Sequence, residues 1–297
     1  MEQITSIYEI YSDIVSNPKY GFKSCGDSIV VLEKLEDTIT NESRQDIIDP
    51  LHASYRGNKF FVKIIFKKMM PSMTLDYIHN TTYLNDTMVY KTGEICETSF
   101  DNDITQVNSS GIHYFISVDT AFYYNMTVDD KYTGWLWEYY PNGAPQTVMQ
   151  LKNGKLNGVY KHYNLNNKLT IEQMFSDGVL DGISKEYYTD GRIRLEQEFK
   201  NGNKNGFYRK WLNDTVVTVC NYDNNQLHGK FTQYHLNGKE IDVSMLNLSE
   251  EEKKNILEST REKGRHVKLY GKYSDGKKVG EWYEYNETGD VINTYVY

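Results

Sequence analysis

The stretch Gly182–Asn205, GISKEYYTDGRIRLEQEFKNGNKN, reads as one β-hairpin. Ile183–Tyr188 is rich in strand formers, and Thr189-Asp190-Gly191-Arg192 carries a turn signal with glycine available for positive φ. Ile193, Leu195 and Phe199 then alternate with Arg194, Glu196, Glu198 and Lys200, the period of a half-buried strand. Lys200-Asn201-Gly202 begins the turn into the next unit. The leading glycine returns at Gly134, Gly158, Gly182, Gly206, Gly229 and Gly280, at intervals of 24, 24, 24, 23 and 51 residues. A period in this range marks a repeat array. Five residues after each glycine stand Tyr139, Tyr163, Tyr187, Trp211, Tyr234 and Tyr285. Leu151, Phe175 and Phe199 follow the first three glycines by 17, Tyr222 comes one place early, and Tyr297 is in phase.

A lone hairpin is marginally stable, so successive units must stack or extend one sheet. The aromatic positions three and six of the unit have opposite parity. A regular strand points them to opposite faces. Either a bulge reunites them or both sheet faces carry rings.

The strings GVYKHYNLNN, GISKEYYTDG and GEWYEYNETG, each followed by a strand, resemble the variant class of MORN repeats. The likeness covers about residues 132–297 and departs from the better-known MORN consensus, which has a second glycine mid-strand. It implies an elongated all-β array of six antiparallel hairpin repeats that serves as a scaffold or contact surface. Related repeats also occur in antitoxin-like proteins, and the resemblance implies no catalytic constellation on the repeat itself.

The fifth unit is interrupted at about 241–266. Ser249 and Glu252 form a capping box, Glu250–Glu252 favour a helix N-terminus, and Arg261, Lys263 and Gly264 favour its end. The segment predicts one helix over about 250–263. It reads as a solvated helix or as a docking element on the binding side of the array.

Residues 1–131 form a different pattern, expected to be an α+β domain with its own core. Ile4, Ile7, Tyr8, Tyr11, Ile14 and Val15 follow helical spacing, and Pro18 and Gly21 end that helix. Strands are expected at Ser28–Leu35, Phe60–Lys67, Met88–Thr92, Glu94–Ser99 and Ile112–Ser117, followed by a short helix capped by Ser117. Within this part YKTGEIC and SSGIHYFISVDTAFYY, from Tyr90 to Tyr124, resemble a domain of unknown function common in giant-virus repeat proteins. That resemblance and the Asn-, Lys-, Ile- and Tyr-rich composition imply a viral source.

Residues 1–131 hold 11 Lys and Arg against 19 Asp and Glu, and residues 132–297 hold 22 of each. Neither balance attracts nucleic acid or anionic lipid, so neither nucleic acid nor a membrane is expected as a partner. Lys63, Lys67 and Lys68 read as a solvated face. The opening MEQI lacks a basic, apolar leader, and no run approaches the roughly 20 apolar residues that span a bilayer. Cys25, Cys96 and Cys220 are odd in number and far apart, which argues against a disulfide framework. An intracellular, cytoplasmic protein is expected.

Chemistry is sparse: the sequence offers no catalytic, cofactor-binding or metal-binding residues that form a motif. His52, His79, His113, His162, His228, His235 and His266 lack ligand spacing. His113 reads as a hydrogen-bonded core histidine; a pocket joining it to Glu94 or Asp119 would favour an enzyme. Asp101-Asn102-Asp103 lacks the remaining ligands of a calcium loop. Met69-Met70-Pro71-Ser72-Met73 reads as a loop. The expected function is a non-enzymatic protein–protein scaffold or adaptor, with an antitoxin-like inhibitor of a partner enzyme as the alternative. The strand Val291–Tyr297, β-branched and aromatic without a lysine or proline guard, is expected to pair with a second copy or a partner.

Overall fold

The computed structural model describes residues 2–80, 88–212, 215–235, 249, 251, 254 and 266–297. The chain divides into two compact units, residues 1–156 with 160–168, and residues 157–159 with 169–297.

The first unit opens with α1 (Glu2–Ile10) and α2 (Ser12–Val15), so the single expected helix breaks at Tyr11. Tyr11 turns its ring onto Phe66, at 4.5 Å between centroids. The strands that follow are β1 (Tyr20–Cys25), β2 (Ser28–Glu33), β3 (Ser54–Gly57), β4 (Lys59–Lys67), β5 (Tyr77–His79), β6 (Val89–Lys91), β7 (Ile95–Glu97) and β8 (Ile112–Phe115). Six of them form an antiparallel sheet in the order β3-β8-β1-β2-β4-β7, and β5 pairs with β6. Strand β2 is apolar from Ile29 to Leu32 because both its faces are covered: Ile29 and Val31 join one core, Val30 and Leu32 the other. Helix α3 (Val118–Tyr123) is capped by Ser117, whose Oγ accepts from the Asp119 amide at 3.1 Å, as its sequence predicts.

Strands β1, β3 and β5 were not expected. Gly21, read as a helix stop, lies inside β1, where a Cβ would come within 2.5 Å of the Tyr114 ring. Hairpin strands β9 (Gly134–Tyr139) and β10 (Pro145–Lys152) also belong to this unit, with most of β11 (Lys155–Tyr163). Leu136 and Leu151 are buried in the same core as Phe115 and Phe122. The turn of this hairpin is bound as well: Asn142 O accepts from the Ile48 amide at 2.9 Å, and Pro141 O from the Ser54 amide at 3.0 Å. The sequence pattern changes at 131/132, whereas the packing of this unit continues through the first repeat.

The remaining strands are β12 (Leu169–Ser176), β13 (Val179–Tyr187), β14 (Ile193–Lys200), β15 (Asn203–Leu212), β16 (Thr215–Asp223), β17 (Gln226–His235), β18 (His266–Ser274), β19 (Lys277–Tyr285) and β20 (Val291–Val296). Strands β9 to β20 form a 12-stranded antiparallel sheet in chain order, six hairpins as the repeat spacing requires. The helix expected over about 250–263 lies outside the described residues, apart from Glu251 and Lys254.

Two turn types alternate. Between units, Asn153-Gly154, Asp177-Gly178, Asn201-Gly202, Asn224-Asn225 and Asp275-Gly276 all have positive φ at both residues, the type I′ geometry that matches strand twist. Within units the loops are longer. In one of them Tyr188 donates its amide to Arg192 O at 2.8 Å, and Gly191 donates to Tyr188 O at 2.9 Å. By sequence, Gly182 and Gly206 stand where one hairpin turns into the next. They lie instead inside β13 and β15, because each of these strands starts directly after a type I′ pair, Asp177-Gly178 and Asn201-Gly202.

At this point the ladder is interrupted. Pairing runs Phe175↔Leu180 and then Gln173↔Ser184, so Met174 faces a stretch of three residues centred on Gly182. The same interruption centres on Gly206, opposite Glu198. Gly182 and Gly206 have φ of +113° and +107°, where side chains rarely go. A Cβ on Gly182 would also lie 3.0 Å from the Met174 Cβ. Gly182→Val is expected to lower the unfolding free energy by about 1–3 kcal/mol, the range for a strained backbone position. A urea melt of the variant that overlays the parent would refute this.

Candidate functional site: two aromatic faces of the repeat sheet

The register interruption comes before position three, and pairing is then regular to position five: Gln173↔Ser184, Glu172↔Lys185 and Ile171↔Glu186. A second shift, between Glu186 and Tyr187, puts its extra residue, Arg194, on β14, so β13 itself alternates without a break from position three to position six. Alternation therefore places the two aromatic rows on opposite faces. Both sheet faces carry rings.

In the second unit the position-three face carries a chain of ring contacts. Tyr208 meets Tyr222 at 5.8 Å, Phe231 meets Tyr273 at 5.6 Å, and Trp282 meets Tyr273 at 4.9 Å and Tyr297 at 6.3 Å. Two lysines lie over these rings. Lys204 Nζ is 5.8 and 5.3 Å from Tyr208 and Tyr222. Lys278 Nζ is 4.3 and 5.1 Å from Trp282 and Tyr297. In each case the unit glycine stands between lysine and ring in the sequence, as Lys204-x-Gly206-x-Tyr208 and Lys278-x-Gly280-x-Trp282. Each such contact contributes roughly 0.5–1 kcal/mol when exposed.

The opposite face buries Val216, Tyr234, Val267, Tyr270, Tyr283 and Tyr285, with Trp211 and Val219 against them. Adjacent units are also tied along this row. Tyr188 donates its hydroxyl to Trp211 O at 2.8 Å, and His235 Nε2 lies 2.9 Å from Tyr285 O. In the first unit Tyr140 makes the same contact with Tyr163 O at 2.9 Å. The third hairpin departs from the aromatic rule. Its position three is Ser184, buried beside Gln197 and accepting from Gln173 Nε2 at 3.2 Å. The charges near it, Glu196 with Lys185 at 3.6 Å and Arg209 at 3.4 Å, are surface pairs of small energetic weight.

The residues watched in the sequence are spread over the first unit. His113 is half-buried, with Nε2 3.0 Å from Ser109 O, and it lines a cavity with His52 and Glu138 rather than Glu94 or Asp119. Glu94 is exposed beside Lys91, and Asp119 accepts from Ser117 and from Tyr8. Asp101 and Asp103 order their own loop. Asp101 accepts from Ser109 Oγ at 2.5 Å, and Asp103 accepts from Thr105 Oγ1 at 2.6 Å. No group of His, Cys, Asp or Glu able to hold a metal ion occurs among the described residues. Met69, Met70 and Met73 are exposed, and the three cysteines are buried and form no disulfide.

Sequence reasoning missed Arg56, which is fully buried on the unexpected strand β3. It also misread Lys68. Lys63 is exposed and Lys67 pairs with Asp27 at 2.7 Å, but Lys68 is 3% exposed. Lys68 donates to Ser24 Oγ at 2.7 Å and Tyr124 O at 3.0 Å, and burial pushes its ammonium down from 10.5 to about 8. Below pH 8 both folded and unfolded states hold the proton. Between about 8 and 10.5 only the unfolded state does, so this group makes stability rise with pH there. The buried thiols of Cys96 and Cys220, pushed up to about 11, act in the opposite sense above pH 9. The difference between the parent and Lys68→Met isolates the lysine. From pH 8 to 10 the parent should gain about 1–3 kcal/mol on the variant, measured by urea unfolding. A constant difference would remove the assignment.

Residues 180–201 match the family model of the MORN repeat variant. The match runs from the second residue of β13, through β14, to the first residue of the following type I′ turn. MORN repeats generally occur in repeat proteins that contact proteins or membranes. A search of curated proteins finds no match to the chain. No helix among the described residues is long and apolar enough to cross a membrane.

Proposed function

We propose that the chain is a non-enzymatic interaction scaffold in an intracellular, cytoplasmic setting, and that it holds protein partners on the lysine–aromatic face of the repeat sheet. The observation behind this reading is the recurrence of one element, Lys204 over the half-buried Tyr208 and Tyr222, and Lys278 over the buried Trp282 and the exposed Tyr297. The open parts of Tyr208, Tyr222 and Tyr297 supply rigid contact area, and the lysines beside them favour an acidic partner segment. Proximity labelling with the full chain, beside a Lys204→Glu/Lys278→Glu variant, tests the reading. Partners enriched by the parent should be lost from the variant. An unchanged partner set, or a single enzyme held and inhibited stoichiometrically, would overturn it.

Homotypic pairing through β20 belongs to the same proposal. All six residues of β20 are exposed, with Val296 78% exposed, and the strand ends the order of the sheet. An uncovered strand edge offers unpaired amides and carbonyls to another chain. In sedimentation the parent should self-associate with concentration and a chain ending at Gly289 should not. Monomers in both cases end the idea.

A further inference from the structure

The first unit contains a cavity of about 200 Å³ at the meeting of β8, α3 and the first hairpin. Its wall includes a run of near-parallel rings. His52 and Tyr139 stack at 4.4 Å with planes 12° apart, and Tyr139 and Trp137 lie 6.3 Å apart at 13°. His52 is held in that orientation by Asp49, whose Oδ2 is 2.8 Å from its Nδ1.

Thr120, on α3, lines the same cavity. It is 2% exposed and its Oγ1 has no hydrogen-bond partner. A helical threonine ordinarily returns its hydroxyl to the carbonyl one turn back, and a buried polar atom without a partner is costly. Lys23, His113, Glu138 and Gln146 contribute polar groups of both signs to the lining. A volume of this order suits one ring or a fused pair, since an engineered cavity of about 150 Å³ takes benzene. Here the wall combines aromatic rings with polar groups, so the complementary molecule has a flat π-face and a hydrogen-bonding edge.

We propose that this cavity binds a planar heteroaromatic molecule of nucleobase size, slotted parallel to the His52–Tyr139–Trp137 rings with its polar edge on Thr120 Oγ1. The test titrates the full chain with adenine, cytosine and uracil, read by saturation-transfer NMR and tryptophan fluorescence. At least one base should bind saturably. Thr120→Val should weaken that binding by about tenfold or more, the value of one buried hydrogen bond. It should hold or raise the melting midpoint, because the buried hydroxyl has no protein partner to lose. His52→Asn, at a half-exposed position of the ring stack, is the second variant and should weaken binding at least about threefold. Absence of saturable binding by all three bases would leave a solvent-filled cavity only. Binding indifferent to both variants would lie elsewhere. Either result overturns the proposal.

Discussion

Arg56→Met should remove about 3–5 kcal/mol of stability from the first unit. Arg56 is fully buried, yet its guanidinium donates to no carboxylate among the described residues. It is enclosed by main-chain carbonyls: Nε donates to Gln106 at 2.7 Å, Nη1 to Asp101 at 2.8 Å and Ser110 at 2.9 Å, and Nη2 to Asp103. Phe100 covers the guanidinium at 4.7 Å. One side chain thus satisfies four carbonyls and fixes the path of residues 101–110. Methionine fills much of the volume and removes a buried charge, which is favourable. It also leaves those carbonyls without donors at about 1–3 kcal/mol each, and the second effect wins unless water enters. Arg56→Lys should recover little, because a point ammonium cannot span the fork. Hydrogen exchange reads the effect by unit: protection should fall around β3, β8 and residues 101–110 and hold in β12–β20. Unchanged protection of the first unit would show that the carbonyls find water at no cost.

The two units differ in how much of them could be read from sequence, and the reason is physical. In the repeat sheet each local choice is forced. Type I′ turns demand Asn, Asp or Gly, the ladder interruption demands glycine, and the faces demand rings, so the 24-residue spacing carries the strands. From sequence, the first strand of the hairpin starts at Ile183, whereas β13 begins at Val179, directly after the type I′ pair Asp177-Gly178. In the first unit, β3 is four residues long and contains an arginine, and β1 contains a glycine. Neither alternates, since both faces are buried. Burial of Arg56 and Lys68 depends on carbonyls and hydroxyls far away in the chain, at 101–110 and at Ser24 and Tyr124. The cavity at Thr120 draws on residues from Lys23 to Gln146, and no spacing rule connects them.

The second large effect is expected at Gly271, which lies outside the phase of the unit glycines. On the position-three face each ring has a cross-strand neighbour, and the two sizes compensate. Met149 faces Tyr160, Gln197 faces Tyr208, Cys220 faces Phe231, and Ser184, the smallest occupant, faces Gln173. Trp282, the largest, lies over Gly271: a Cβ there would stand 2.1 Å from the indole Cδ2 and 2.3 Å from Cε2. Trp282 is fully buried, donates Nε1 to Lys272 O at 3.1 Å, and contacts Phe231, Tyr273 and Tyr297. It cannot move without opening that cluster. Gly271→Ala should therefore cost about 3 kcal/mol, the upper range for overpacking. A backbone effect alone would give another result, since φ at Gly271 is not positive and alanine is no worse than glycine in a strand. The two accounts separate in a double-mutant cycle. Trp282→Leu alone should destabilise by about 2–4 kcal/mol through lost burial, and in that background Gly271→Ala should become neutral or stabilising, a coupling of about 3 kcal/mol or more. Additive losses in urea melts of the two single variants and the double variant would mean that glycine is required there for some reason other than the indole above it.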